Sequence, residues 1–457
     1  MTLSQNNGKT WSTIADSVNG LNYMWKSQFI ESDSCLVRIK HSVLRESNKG
    51  EIEWAKSYFD STSKVFDDLI QTSDGGFIAT GWNNISYKPG SYSDIDLWII
   101  KLDYLGNVEW SKTFGGSKSD RGNSIIETRD GCFLIGGRSL SSDQDLLNNY
   151  GWDDLWFLKI SRFGDLIWSK TYGGSGRESL GSIIETNDGS LVAVSSSNST
   201  DFDVPSSVKS NRVWILKLDS LGEIKRSKII DKDGHSASSI LNTKEGGYII
   251  GGQHYKNFDS LGNSNNNIWI SKLNSNFEEE WFAYYDNFKN DLMKSFKPTI
   301  DGGYILAGYN ASDVLVIKLN ENGKAEWTKT YGGSDYDRAH SVAQFEDGTF
   351  SVVGFTKSKD RDITDFKGGS DFWLLNLGKN GEIIWEKTIG GSGYEVADET
   401  IVTSDGGFLV AGNYGSIGGD FREFMGDNTI IVKLSGTYKI QYDTSDAVFS
   451  IKAPNYN

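Results

Sequence analysis

Residues 156–189, WFLKISRFGDLIWSKTYGGSGRESLGSIIETNDG, form the unit that most of this chain copies. A β-rich run ending at Lys159 and Ile160 meets a turn at Gly164, and a second run carries Trp168, Lys170 and Tyr172. A break at Gly173, Gly174 and Ser175 follows, then the run 182–186 and the turn Asn187, Asp188, Gly189. Short apolar runs punctuated by Gly and Asp at fixed offsets predict strands joined by tight turns. No run keeps a 3.6-residue period long enough for a helix.

The Asp-Gly turn recurs at Asp74, Asp130, Asp188, Glu245 (as Glu-Gly), Asp301, Asp347 and Asp405, with spacings of 56, 58, 57, 56, 46 and 58 residues. One tryptophan position repeats three residues before a lysine in most copies: Trp98, Trp156, Trp214, Trp269 and Trp373, with Leu315 and Ile430 in the other units. A second lies in the following strand: Trp54, Trp110, Trp168, Trp281, Trp327 and Trp385, with Arg226 as the exception. A period of this length built only of strands is the signature of propeller blades, none of which can bury both faces alone. The last unit stops at its 429–434 strand, and the spare Trp-bearing segment, 50–54, sits at the other end of the repeats. Pairing the two closes a ring of seven blades and leaves no open sheet edge.

Composition narrows the function. The chain has 457 residues and a net charge of −15, which argues against nucleic acid or an anionic membrane surface as partner, because both select basic surfaces. Cys35 and Cys132 both lie in apolar strand contexts, so two buried free thiols are expected and a disulfide framework is excluded. There is no 18-residue apolar run and no secretory signal at the N-terminus, so direct membrane insertion is not expected.

Outside the repeats, residues 4–11 resemble the Asp box of sialidase-like propellers, with Asn6 in place of the aspartate. The segment 22–25, followed by 32–39, resembles the middle of a fibronectin-III-like module, whose expected last strand appears far downstream at 442–451. An all-β reading follows: a seven-bladed β-propeller at 49–436, inserted in a partial fibronectin-III-like β-sandwich made of residues 1–48 and 437–457. Insertion is tolerated when the guest's ends lie close together.

Residues 50–435 resemble the tandem Asp-Gly-Gly/Trp-x-x-Lys propellers of bacterial secreted surface proteins. The resemblance is especially to those of the Bacteroidota, where such repeats often accompany fibronectin-like or Ig-like modules and type IX secretion signals. The resemblance implies an extracellular or cell-surface binding, adhesion or scaffold protein, part of a larger chain or assembly, with a protein or glycan partner. No sorting domain is visible after Ile451.

Within a unit the strands are labelled a (166–172), b (182–186), c (191–194) and d (213–218). Strand alternation puts the a–b and c–d connections on one face and the b–c and d–a turns on the other. All the long connections are c–d, so one face is plain and the other carries six large loops, where function usually sits. These loops hold Asp143, Asp145 and Asp153, and Asp360, Asp362 and Asp365, with Asp201 and Asp203 as a partial copy. Alternate carboxylates can offer several hard oxygens to calcium, although loop aspartates more often make Asx-turns. Loop aromatics expected to be exposed are Tyr87, Tyr92, Tyr150, Trp152, Tyr255, Phe258, Phe421 and Phe424. Tyr150, Trp152, Tyr255, Phe421 and Phe424 are the candidate ligand-binding set, with Trp152 close enough to strand d to pack back instead. No catalytic residues and no certain cofactor are assigned. The alternative, a sialidase-like glycan hydrolase, needs arginines and carboxylates that converge, and Arg121 and Arg338 are more simply read as partners of Asp120, Asp337 or a neighbouring blade.

Overall fold

The computed structural model describes residues 2–4, 12–13, 32–44, 50–58, 62–84, 95–146, 148–206, 210–232, 234–255, 266–285, 290–416, 418–421, 428–436, 438–444 and 449–451. Seven four-stranded antiparallel sheets follow one another along the chain. Blade 2 shows the pattern: Asp120–Glu127 (b), Phe133–Ser139 (c), Asp154–Ile160 (d) and Leu166–Tyr172 (a), hydrogen-bonded in that order. Strand a is thus the outermost strand of the blade before it, and each sheet is offset from the sequence unit by one strand. The b strands of neighbouring blades touch all the way round, including those of blades 7 and 1, so the ring is closed.

Closure uses the two segments that the repeat count left unpaired. Ile52–Ser57 is the fourth strand of blade 7, beside Asn428–Leu434. Gly50 N–H donates to Ser435 O (2.9 Å), Ser435 N–H to Glu51 O (2.9 Å) and Tyr58 N–H to Thr429 O (3.3 Å). The chain is a seven-bladed β-propeller.

The repeated residues explain the packing. Trp98, Trp156, Trp214, Trp269 and Trp373 of strand d are each 2 % exposed or less. Three of them keep the indole N–H satisfied by a serine on strand a: Trp98 to Ser111 (2.8 Å), Trp156 to Ser169 (2.9 Å) and Trp214 to Ser227 (2.8 Å). Where the tryptophan is absent, Leu315 and Ile430 fill the place, fully buried. The core is interblade: Leu155 and Phe157 of blade 2 pack with Leu191, Trp214 and Leu216 of blade 3. The strand-a tryptophans reach the next blade instead. Trp110 donates to Arg162 O (3.3 Å), Trp168 to Ser220 O (3.3 Å) and Trp327 to Lys379 O (3.0 Å). Gly106 shows why a d–a turn needs glycine: its φ is +77°, and a Cβ there would stand 2.7 Å from the Trp54 ring.

Trp-x-x-Lys and Asp-Gly are two halves of one contact. The lysine three residues after the tryptophan position reaches the turn carboxylate in Lys101–Asp74 (3.1 Å), Lys159–Asp130 (2.6 Å), Lys217–Asp188 (3.0 Å) and Lys318–Asp301 (2.9 Å). Blade 6 carries Asn376 there, which donates to Phe350 O (3.1 Å).

The chain divides into two compact units, and residues 1–53, 403–408 and 433–457 form the smaller. In it, Ser32–Leu44 pairs with Thr2–Ser4, with Tyr438–Thr444 and with Phe449–Ile451, so strands from both chain ends share one sheet. The segments 5–11 and 22–25, on which the Asp-box and fibronectin-like readings rest, lie outside the described residues. Cys132 is only half-buried, at the end of an Asp-Gly turn, which corrects the buried thiol expected there; the Cys35 side chain lies outside the described residues.

Candidate functional site: the loop face and the blade junctions

The a–b connections and the c–d loops meet on one face, where the loop aspartates grip backbone. Ser117 N–H donates to Asp143 (2.8 Å) and Gly115 N–H to Asp145 (3.0 Å). The same pair of bonds joins Ser175 and Gly173 to Asp201 (2.7 Å) and Asp203 (3.2 Å), and Ser334 and Gly332 to Asp360 (2.8 Å) and Asp362 (3.0 Å). The residue between each pair, Gln144, Phe202 or Arg361, has φ of 57°, 53° or 57°. That left-handed residue brings both flanking carboxylates to the same strip of N–H groups. The Ser117 N–H holds Asp143 below the usual carboxylate range.

A third carboxylate completes each clamp from strand b. Asp120, Glu178, Asp337 and Glu395, all 1 % exposed or less, accept from Gly116 (2.8 Å), Gly174 (3.0 Å), Gly333 (2.7 Å) and Gly391 (2.9 Å). Hydroxyls add to this: Ser197 and Ser199 each donate to Glu178 at 2.6 Å. A fourth carboxylate begins strand d of the preceding blade. Asp154 accepts from Tyr150 N–H (2.6 Å) and lies next to Glu178, and burial, with Glu178 and Asp203 adding to it against the Tyr150 bond, pushes its pKa up to about 7.

The six candidate calcium residues therefore do not converge. Asp143 and Asp145 hold one glycine-serine strip, and Asp360 and Asp362 hold another. Asp153 lies between Arg138 (4.0 Å) and Arg177 (3.9 Å), and Asp365 faces Lys367 (2.8 Å). Among the described residues, no group of three or more His, Cys, Asp or Glu side chains could hold a metal ion.

The candidate aromatics separate into two kinds. Trp152 is 63 % exposed, with the Arg177 guanidinium 5.3 Å from its ring centroid, so it does not pack back on the blade. Tyr150, at the edge of exposure, stacks on Phe202 of the next blade with centroids 4.8 Å apart, and Phe202 is 67 % exposed. Tyr255 is half exposed. Phe421 corrects the expectation: it is 1 % exposed and packs on Phe372 and Tyr414, because the Gly419–Phe421 turn folds it inward. Phe424, Tyr87, Tyr92 and Phe258 lie outside the described residues. Sequence reading missed Phe202 as a surface ring, and also Tyr336 and Tyr394, exposed at matching positions just before Asp337 and Glu395. The signal was there: the two tyrosines stand where the other clamps carry Ser119 or Arg177, and Phe202 where they carry Gln144 or Arg361.

The opposite face is not plain either. Tyr104, Leu105, Phe163, Leu166, Leu221 and Ile224 form exposed apolar tips on the d–a turns of blades 1, 2 and 3.

Arg121 and Arg338 each lie over a ring of the preceding blade, Trp82 (5.0 Å) and Tyr309 (4.4 Å). Charged groups do gather where the b strands bulge. Asp67, Lys294 and His340 are bulge residues, and His340 Nδ1 lies 3.3 Å from Asp398. Burial first, then Asp398, raises Asp67 to about 7, against the pull of Arg121 and Arg138.

No family model and no curated protein matches this chain. Among solved structures it is similar to the WD40 domain of Neurospora crassa Pan2, at 10% identity and TM-score 0.50, with 86% of this chain and 97% of that one covered. It is also similar to Sqt1 from Chaetomium thermophilum, at 10% identity and TM-score 0.49, covering 85% and 100% of the two chains. Drosophila Plexin A, in complex with Semaphorin 1b, matches at 7% identity and TM-score 0.44, covering 85% and 88%. At such identities the likeness is one of fold.

Proposed function

We propose that this chain is a non-catalytic binding propeller that captures a protein or glycan partner through its loop face, as part of an exported or cell-surface protein with a fibronectin-III-like module. The observation that carries the reading is the exposed aromatic group at the junction of blades 2 and 3: Trp152 over Arg177, beside the Tyr150–Phe202 stack. Large rings with a neighbouring guanidinium are the residues that dominate binding surfaces. Most of the clamp carboxylates of the same face accept hydrogen bonds within or between blades, whereas these rings stand at the surface where a partner can reach them. The test is affinity capture from extracellular matrix proteins and a glycan array, with wild type and the double variant Trp152→Ala, Phe202→Ala. Loss of capture with an unchanged melting temperature supports the reading; capture that survives both substitutions overturns it.

The sialidase-like alternative would have to draw on the bulge group of Asp67, His340 and Asp398. Release of product from aryl glycosides, abolished by Asp398→Asn, would favour it.

A further inference from the structure

The four clamps repeat with fixed spacing: a carboxylate opening strand d, a second 24 residues on, and a third 25 beyond that. The sets are Asp96, Asp120, Asp145; Asp154, Glu178, Asp203; Asp313, Asp337, Asp362; and Asp371, Glu395, Asp420. The last differs from the others in one respect. Nineteen residues after the strand-b carboxylate, Ser139, Ser197 and Thr356 supply a hydroxyl that donates to it, but blade 7 has Tyr414 there. Glu395 Oε2 accepts from Gly391, and its Oε1 is buried with no donor. Asp371 is in the same condition: one oxygen accepts from Lys367 N–H (2.7 Å), and Oδ1 is buried with no donor. Both residues are 0 % exposed. A Cβ placed on Gly390 would meet Asp371 Oδ1 and, at 2.7 Å, Glu395 Oε2, so the two carboxylates flank the same glycine. The donorless Asp371 Oδ1 and Glu395 Oε2, the oxygen that also accepts from Gly391, both border Gly390, and two buried carboxylates so placed lack a proton between them.

We propose that Asp371 and Glu395 share one proton at the junction of blades 6 and 7, so that this junction is held tightly in mildly acidic solution and loosens as the pH rises. The surrounding charges agree. Asp420 faces the pair from the c–d loop of blade 7, accepting from Gly390 N–H (3.0 Å), and opposes ionisation of Asp371. Among the described residues Lys367 is the cation close by; its ammonium is bound to Asp365 (2.8 Å) and Asp420 (3.2 Å), and it only partly offsets the two acids. Burial is the largest influence on Asp371, and with Glu395 and Asp420 it overcomes Lys367 and brings the pKa to about 6. The chain carries its own precedent. The d strand of blade 4 opens with Asn267, paired opposite His254 as Asp371 is paired opposite Thr356, and an acid, Asp291, stands 24 residues on. At that junction an amide stands at the equivalent sequence position.

An amide can replace the shared proton, since Asn at 371 accepts from Lys367 N–H with its oxygen and donates to Glu395 with its nitrogen. The experiment is thermal unfolding of the full chain as wild type, Asp371→Asn, Glu395→Gln and Asp371→Ala, at pH 4.5 and pH 8. The expected result is that both amide variants melt above wild type at pH 8, by at least about 2 °C. The gap closes towards pH 4.5, and Asp371→Ala melts lower at both. Amide variants that melt below wild type by the same amount at both pH values overturn the proposal. So does a wild-type midpoint at pH 8 that millimolar calcium raises to the level of the variants, since a cation would then fill the pair.

Discussion

The Lys159 ammonium lies 2.6 Å from the Asp130 carboxylate, and this one ion pair joins the Trp-x-x-Lys strand to the Asp-Gly turn of the same blade. The Thr128 hydroxyl donates to the same aspartate at 2.6 Å. Burial alone would raise Asp130, but the bonds from Lys159 and Thr128 outweigh it and hold the group at about 2. Its folded value is thus depressed below the unfolded value of about 3.9. The pair's stabilisation is therefore present above about pH 4 and is lost as the pH falls through about 2. Lys159→Met is expected to cost about 1–2 kcal/mol at pH 7, and nothing further at pH 2, in urea unfolding.

The tryptophans should separate into three classes. Trp156→Ala empties a site of zero exposure and is expected to cost about 3–5 kcal/mol. Trp168→Ala removes a half-buried ring and one hydrogen bond to the next blade and should cost less. Trp152→Ala, on an exposed loop, should stay within about 0.5 kcal/mol. Urea midpoints of the three variants give the order directly.

Asp362 marks where the clamp and calcium readings part. As a clamp it accepts Gly332 N–H, and Asp362→Ala should cost about 1–2 kcal/mol whether or not calcium is present. An ion bound only to the folded form would add about 2.7 kcal/mol at a hundredfold excess over its dissociation constant. Since the loop aspartates already accept N–H groups, the expected melting midpoint is the same in chelator and in millimolar calcium. A rise with calcium would restore the ion.

Ring closure is testable at Lys56, in the closing strand. Tyr58 N–H points into blade 7, and alternation along a strand puts the Lys56 N–H on the same side. Lys56→Pro removes that donor and should lower the melting temperature and expose an edge prone to self-association. Lys56→Ala, which keeps the backbone donor and loses the side-chain contacts to Asn107 and the Trp54 ring, is the control. Light scattering after size-exclusion chromatography reads the difference.

Much of this architecture was legible in the chain because it repeats. Six Asp-Gly turns, one Glu-Gly turn and eleven spaced tryptophans required seven equivalent packing sites, and a segment such as 50–54 with no partner in its own unit required one at the far end. A single loop aspartate carries no such redundancy. Asp143 and Asp145 suit an ion or a backbone clamp equally well on spacing, and what separates the two is the left-handed Gln144, which turns both oxygens onto Gly115–Ser117.

Local sequence therefore determined strands, turns, blade number and the face that carries long loops, because each depends on periodicity and on the alternation of strand direction. Tertiary structure alone decided which side chains are buried, exposed or paired. Phe421 turned inward, Trp152 stayed outside, Arg121 went to a ring of the preceding blade, and Asp371 met Glu395 across a glycine. All four outcomes depend on contacts between residues far apart along the chain or on adjacent blades. The burial and charge around a side chain are set by those neighbours, and its own sequence context does not contain them.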